Sequence, residues 1–231
     1  MLNIAIETSG LSKTYGTGAV SVEAVKQVDL QLHEGKVIGL FGPSGSGKTT
    51  LLSMLGCLLR PTEGSLKLYG TNITGLQEKE LPGIRKKYVS FVFQGFNLFP
   101  ALTAFENVML AMHVKGERGA AAELKTHRIL EEVGLTDRGN FLPRDLSGGQ
   151  KQRVSIARAL ATASPVILAD EPTANLDHLN GRKVMNMLRA LATEKSKCVI
   201  VATHDIRIAD LFDQILMMED GQIIKKGKVS R

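Results

Sequence analysis

Val37-Ile38-Gly39-Leu40-Phe41-Gly42-Pro43-Ser44-Gly45-Ser46-Gly47-Lys48-Thr49-Thr50 is the stretch on which the fold turns. A strand-type run leads into closely spaced glycines, and a run of helical character, Lys48–Leu59, leads out. Gly42 to Thr49 fits the P-loop pattern of Gly, four residues, Gly-Lys-Ser/Thr. Each residue type has a physical task there. Glycines let backbone N–H groups fold around an anion. The helix that follows turns its positive end toward the same anion. Lys48 supplies a full charge to the β- and γ-phosphates of a nucleotide, and the Thr49 hydroxyl can coordinate Mg²⁺. The pattern specifies a nucleoside triphosphate and leaves open what is done with it.

Working outward, short strand-type runs alternate with helical ones. Ile4–Glu7, Val25–Leu32, Lys36–Phe41 and Ser65–Tyr69 read as strands, with half-exposed alternation over Val28–Leu32. Tyr88–Phe93, Val166–Ala169, Cys198–Ala202 and Gln214–Met218 are continuously apolar, the pattern of strands buried on both faces of a parallel sheet. A hairpin through Glu219-Asp220-Gly221 leads into Gln222–Lys225. Helical spacing marks Thr103–Val114, Arg118–Val133, Gly149–Ala163 and Leu179–Glu194. The alternation predicts an α/β fold, and the helical stretch from about Thr103 to Thr162 predicts a lobe inserted between two strands.

Val166-Ile167-Leu168-Ala169-Asp170-Glu171 is an apolar strand ending in two carboxylates. In P-loop enzymes such a strand is expected beside the P-loop, with its first acid holding Mg²⁺, often through water. Asp170 fits that task, and Glu171 is placed to polarise an attacking water. His204 follows the buried strand Cys198–Ala202, at the carboxyl end where ligands bind in open α/β sheets, and is placed to contact the γ-phosphate or orient the water.

The bulk properties narrow the class. The chain has 231 residues, 43% of them hydrophobic and 23% charged, enough for one large domain with its own core or for a domain plus a small lobe. The apolar runs are strand-sized, far short of the roughly 20 residues that cross a bilayer. Met1 to Glu7 lacks the form of a signal peptide, so the protein is expected to stay where it is made. Cys57 and Cys198 read as buried, reduced thiols. The formal net charge of +6 raises nucleic acid or anionic lipid as partners. No dense Lys/Arg tract supports either, and a modestly basic protein that binds a polyphosphate accounts for it.

Leu146-Ser147-Gly148-Gly149-Gln150 opens the helix that carries Lys151 to Ala163. Ser147 reads as its N-cap, and the two glycines expose N–H groups at a positive helix end, making a second anion reader. One nucleotide already has its cradle in the P-loop. A second reader suggests two chains that share nucleotides, each P-loop facing the other chain's Ser147–Gln150 in a two-fold dimer.

These five residues, with the P-loop, the acidic pair and the histidine in this order, resemble the nucleotide-binding domains of ABC transporters from about Ile6 to Gly227. The resemblance implies an α/β fold. It comprises a P-loop NTPase core with a mixed, mainly parallel sheet, an N-terminal antiparallel β subdomain and an inserted helical lobe. The whole chain would form one domain, with the core over about 1–100 and 164–231 and the lobe over about 101–163. It implies an ATPase that uses ATP and Mg²⁺. Gly42, Pro43, Ser44, Gly45, Ser46, Gly47, Lys48, Thr49 and Thr50 would bind the nucleotide, and Tyr15 would stack on adenine. Thr49, Gln94 and Asp170 would hold the metal, while Glu171, His204 and Gln94 would serve hydrolysis. Ser147, Gly148, Gly149 and Gln150 would read the nucleotide of the other subunit, and Ala174-Asn175-Leu176-Asp177 would cross the dimer interface through Asn175 and Asp177.

Further stretches resemble one group within that family. They are Leu55-Gly56-Cys57, Phe91-Val92-Phe93-Gln94 with Asn97-Leu98, Leu102-Thr103-Ala104 with Glu106-Asn107-Val108, and Asp170-Glu171-Pro172-Thr173. That group comprises the macrolide-export, lipoprotein-release and heterocyst glycolipid-export ATPases, with the cell-division ATPase a close relative. Its members pair with permeases of four transmembrane helices and a large extracytoplasmic domain. The expected setting is a homodimer formed on ATP binding. It would be cytoplasmic, peripheral on the inner face of the cell membrane through a permease, with no nucleic-acid partner. Thr49 in place of the more frequent Ser, Gly95 after Gln94, and Ala-Asn before Leu176-Asp177 depart mildly from the pattern. Phe96, Leu98, Phe99 and Leu102 either line a groove for a permease helix or pack the lobe. Soluble ABC ATPases of DNA repair or translation are a rival reading; the first usually carry a long coiled-coil or zinc insertion, for which the span from Lys48 to Ser147 leaves no room, and the second carry two domains in one chain. A slow ATP-dependent clamp on a membrane complex remains open.

Overall fold

The computed structural model describes residues 3–16 and 20–228. Met1 and Leu2, part of the stretch read above for a leader, lie outside the described residues. Two sheets form. β1 (Ile4–Tyr15), β2 (Val22–His33), β4 (Glu63–Leu68) and β5 (Thr71–Asn72) make an antiparallel sheet in the order β2-β1-β4-β5. β3 (Val37–Phe41), β6 (Val89–Val92), β7 (Val166–Asp170), β8 (Cys198–Thr203), β9 (Gln214–Glu219) and β10 (Gln222–Lys228) make the second, in the order β10-β9-β3-β8-β7-β6. All pairs in it are parallel except β9 with β10.

The central strands are apolar throughout because both their faces are covered. Side chains alternate between two interiors with the period of two that a strand imposes. Val37, Phe41, Ile167, Ala169, Val199 and Val201 turn to one. Ile38, Leu40, Val166, Leu168, Cys198, Ile200 and Ala202 turn to the other, which α1 (Lys48–Leu55) and the antiparallel sheet complete. β9 departs from the expectation of burial on both faces: Leu216 and Met218 are buried, whereas Gln214, Ile215 and Met217 are only half-buried. Its other side pairs with the edge strand β10, so less of the molecule covers it.

The first interior is closed by α3 (Ala104–Lys115), α4 (Gly119–Glu132), α5 (Gly148–Ala161) and α6 (His178–Lys195). The first three lie in sequence between β6 and β7 and form the inserted helical lobe. Its apolar side chains, among them Val108, Met112, Leu130 and Val154, belong to the same cluster as those of the sheet.

Several boundaries differ from the reading above. β1 runs on to Tyr15 because a bulge at Gly10 (φ +57) is held by its N–H donating to Asp29 Oδ1 at 2.6 Å. α1 stops at Leu55, where Gly56 caps it and Cys57 takes a φ of +57, so the helix does not reach Leu59. Tyr88 ends a short helix, α2 (Leu81–Tyr88), instead of starting a strand.

The expectation that the acidic strand lies beside the P-loop strand is corrected. β8 separates them, pairing with β3 on one side and β7 on the other. β8 is buried along its whole length, and its interior position satisfies those apolar residues on both faces. Registers Phe41↔Thr203 and Asp170↔Ala202 end the three strands at one edge. Two strand spacings, about 10 Å, therefore separate the P-loop strand from the acidic one.

Candidate functional site

β3 ends at Phe41 and the chain turns at once into the loop 42–47. A side chain at Gly42 would put its Cβ 2.1 Å from Met218 O, and at Gly47 (φ +101) 2.3 Å from Ala24 O. Backbone crowds both positions, so only glycine fits. Lys48, 7% exposed, donates from Nζ to Gly42 O at 2.7 Å and to Pro43 O at 2.8 Å. The Ser46 hydroxyl is buried and has no hydrogen-bond partner in the protein. An orphaned hydroxyl inside a loop of this shape fits a ligand rich in acceptor oxygens, such as a polyphosphate.

Thr49, in the first turn of α1, bridges the two strand spacings. Its Oγ1 donates to Asp170 Oδ2 at 3.0 Å, with Oδ1 at 3.3 Å. Burial pushes the Asp170 carboxyl above its ordinary range and the adjacent Glu171 adds to this, while Thr49 and Lys48 pull the other way. These donors are all hard oxygens, the ligand chemistry that suits Mg²⁺. No cluster of three or more His, Cys, Asp or Glu side chains stands ready for a metal among the described residues. A metal here would thus draw much of its shell from water and the nucleotide.

Glu171 has a left-handed backbone (φ +45) and its N–H donates to Ala202 O at 2.9 Å. Such a conformation in a non-glycine residue costs on the order of 1 kcal/mol and marks a position that the surroundings impose. Its side chain is 14% exposed, and Oε1 accepts from His204 Nδ1 at 2.8 Å. Asp205, next in the chain, accepts a two-pronged ion pair from Arg207 at 2.7 and 2.8 Å, which holds its carboxyl below the usual range. That pair braces the 3-10 turn Ile206–Leu211, and sequence reasoning missed it. The short Asp-x-Arg spacing was the available signal.

Pro43, Ser44, Gly45, Gly47, Lys48, Thr49, Thr50, Gln94, Glu171 and His204 line one cleft of about 580 Å³, with Ala24 as an unforeseen wall. Tyr15 stands outside that lining, at the end of β1 opposite Val22, 44% exposed, with Lys13 Nζ 5.4 Å from its ring centre. Ser147, Gly148, Gly149 and Gln150 also stand outside it. Ser147 caps α5 as expected, accepting from Gln150 N at 3.3 Å while Gln150 Oε1 accepts from Ser147 N at 2.8 Å. Gly148 lies against the backbone of Asn175, where an added Cβ would sit 3.2 Å from Asn175 O. Asn175 Nδ2 donates to Gln94 O at 3.0 Å, tying the two loops together. Asp177 caps α6, accepting from Asn180 N at 3.0 Å and Asn180 Nδ2 at 2.6 Å, contacts that hold its carboxyl low.

The loop after Gln94 is pinned from beneath. The amide of Asn107, fully buried, donates to the carbonyls of Phe99, Leu102 and Thr103 and accepts from Phe99 N. Arg158, whose guanidinium pKa burial lowers, donates to Asn97 O and lies 5.6 Å over the Phe99 ring. Of the apolar residues here, Leu98 packs on the interior, Phe96 and Leu102 are half-buried, and Phe99 remains 46% exposed.

Residues 25–174 match the family described as ABC transporter. An ABC transporter ATP-binding protein of Methanocaldococcus jannaschii is 42% identical over 97% of both chains. The solved dimeric structure of that cassette in a post-hydrolysis state, bound to ADP and Pi, superposes with a TM-score of 0.90 over 98% of this chain and 99% of that one. The lipoprotein-releasing system ATP-binding protein of Bacteroides fragilis is 39% identical over 95% of this chain and 100% of its own. A macrolide export ATP-binding/permease protein of Rhodopseudomonas palustris is 40% identical over 97% of this chain, which spans only 34% of that protein. The phosphate-loop geometry, the two-sheet fold with its helical lobe and this likeness along nearly the whole length agree: the chain belongs to the ABC transporter family.

Proposed function

We propose that this chain is the ATP-hydrolysing motor of a transporter, working as a two-fold dimer on a separate permease with four transmembrane helices and a large extracytoplasmic domain. The observation that carries the reading is the convergence of Lys48, Thr49, Gln94, Glu171 and His204 on one cleft, with Asp170 bonded to Thr49. The lipoprotein-releasing relative, matched along its full length, supports the type of permease. No helix among the described residues is long and apolar enough to cross a membrane, in keeping with a membrane path supplied by a partner. The chain would then sit on the inner face of the membrane, in contact with it through the permease.

ATP enters at the loop 42–50, and Lys48 exchanges its two carbonyl partners for phosphate oxygens. Tyr15 stacks on the base from the rim. Thr49, Asp170 and Gln94 would hold Mg²⁺, which when bound offsets charge on the phosphates. Glu171 accepts the proton of the attacking water, and His204, 2.8 Å from it, orients the carboxylate and the γ-phosphate. Ser147 to Gln150 of a second copy close over the nucleotide, and Asn175 and Asp177 lie at the seam. The bond from Asn175 to Gln94 O links that seam to the loop bearing Phe99, the residue best placed for a permease helix.

Glu171→Gln keeps the shape and removes the base. It is expected to bind ATP, accumulate as a dimer by light scattering, and lose at least a hundredfold in phosphate release. Brisk hydrolysis by that variant would refute the role of Glu171. For the partner, Phe99→Glu is expected to spare ATPase activity of the isolated chain and abolish co-purification with the permease. Retained co-purification removes Phe99 from the contact.

A further inference from the structure

A groove of about 220 Å³ opens where the end of α4 meets α5 and α6, and it shares no lining residue with the nucleotide cleft. Its floor is apolar. Val133, Ile156, Leu160 and Leu191 are buried, and Met187 and Ala190 stand half-buried along its wall. Its rim is charged. Glu132, Glu194 and Lys195 are exposed there, two carboxylates to one ammonium. Lys195 Nζ pairs with Glu132 Oε1, a strap from α6 to α4. Glu194 has no ion pair among the described residues. Two further cations nearby are turned to backbone instead. Arg153 donates to Val133 O and Gly134 O at 3.3 and 3.0 Å, and Lys197 donates to Ser164 O at 2.6 Å.

A seam between helices whose side chains fall short of one another would leave a groove with no ligand. Two features point beyond that. Helices pack to the density of organic crystals, with few voids larger than a water molecule, and this space holds several waters by volume. Both α4 and α6 also end at the rim, at Glu132 and Lys195, so two partly negative helix ends add to the excess of carboxylate. An apolar floor under a negative rim is complementary to a hydrocarbon body that carries one positive charge. The geometry points to a binding site for a lipophilic ammonium ion, with its hydrocarbon on Ile156, Leu160 and Leu191 and its charge at Glu194. An apolar cavity of about 150 Å³ takes up benzene, so this one has room for a body of roughly six to eight carbons. Met187, unbranched and polarisable, lets the wall adapt to it. Occupancy has a route to the nucleotide. α5 begins at Gly148, beside the second anion reader, and α6 begins at His178, after the loop that starts at Glu171. The groove lies about 12–20 Å further along both helices. A body wedged between them shifts two elements of the site while touching none of its residues. Neither the dimer nor the permease reading above is needed for this site.

n-Hexylammonium, 1-hexanol and hexanoate share one hydrocarbon and differ in charge, so they serve as probes. In isothermal titration of the full-length chain, hexylammonium is expected to saturate one site and to bind about threefold tighter than hexanol, with hexanoate weakest. Glu194→Gln, at an exposed position, is expected to keep hexanol binding and to erase the advantage of the ammonium. Ala190→Leu adds bulk to the wall and keeps good helix propensity. It is expected to abolish binding of all three with an unchanged circular dichroism spectrum, and Met187→Phe carries the same test if Ala190→Leu fails to fold. Saturating hexylammonium is expected to change the rate of phosphate release by the parent about twofold and to leave the filled variant unaffected. No saturable binding of hexylammonium up to about 10 mM overturns the site. So does equal binding of the three probes, an ammonium advantage that survives Glu194→Gln, or binding that the filled variant retains. Saturable binding that leaves hydrolysis unchanged overturns the route to the cleft.

Discussion

At the scale of single residues, the site shows a tension between stability and chemistry. Asp170 is held beside Thr49 in a partly buried position that raises its pKa. The sign follows from the linkage of folding to proton binding. A carboxyl with a folded-state pKa above its unfolded value stabilises the fold below the unfolded pKa, and that contribution disappears as pH rises through the folded pKa. At pH values above both, ionisation of Asp170 is therefore less favourable in the folded chain than in the unfolded one. Asp170→Asn is expected to raise the melting temperature of the nucleotide-free protein at neutral pH, to flatten its dependence on pH across the acidic range, and to lose Mg²⁺-dependent hydrolysis. Scanning calorimetry at several pH values, with a phosphate-release assay, checks both halves. Gly42→Ala tests the loop by shape alone: Cβ would meet Met218 O at 2.1 Å, so the cradle must open. A loss of ATP binding of at least tenfold is expected by isothermal titration. The residues of this loop could be assigned from sequence because phosphate chemistry tolerates few alternatives at each position. Asn107 and Arg158 could not, because their partners are backbone carbonyls of a loop between four and sixty-one positions away, from Thr103 O to Asn97 O, which any residue can offer.

At the scale of elements, the helices were legible wherever a cap and a period agreed. α3 begins at a capping box in which Thr103 Oγ1 accepts from Glu106 N at 3.2 Å and Glu106 Oε2 accepts from Thr103 N at 2.7 Å. Thr103→Ala is expected to cost about 1 kcal/mol, read by urea denaturation. α2 was missed for the converse reason. Gly83 sits in its first turn and weakens the local preference, so its existence depends on tertiary support. That support comes from burial of Leu81 and Tyr88 and from Arg85 donating to Cys57 O at 2.8 Å. The strands show the same division. β7 and β8 announced themselves by continuous apolar runs, whereas β1 was cut short in the reading because the Gly10 bulge shifts its register and breaks the alternation. The order of strands was less legible still. Nothing local in Cys198–Thr203 says that it lies between β3 and β7, since all three sequences are equally apolar and pairing is decided across the chain.

At the scale of the whole molecule, the lobe and the sheet share one interior, in which Val108, Met112 and Leu130 lie in the same cluster as Val37, Ile167 and Val199. Leu188, fully buried on α6 within that cluster, is a fair probe of it. Leu188→Ala is expected to cost about 2–5 kcal/mol and to shift the transition as a unit. The chain has no tryptophan, so far-ultraviolet circular dichroism in urea is the natural readout. Separate transitions for lobe and sheet would contradict a common interior. This continuity bears on attempts to retarget such a motor by transplanting a segment. A chimera that borrows α3 to α5 from another transporter would carry in one half of a jigsaw whose other half stays behind in β3, β7 and β8. It would fold only where the donor's inward side chains matched the host's in volume, so retargeting is better sought by repainting the outward surface of the helices.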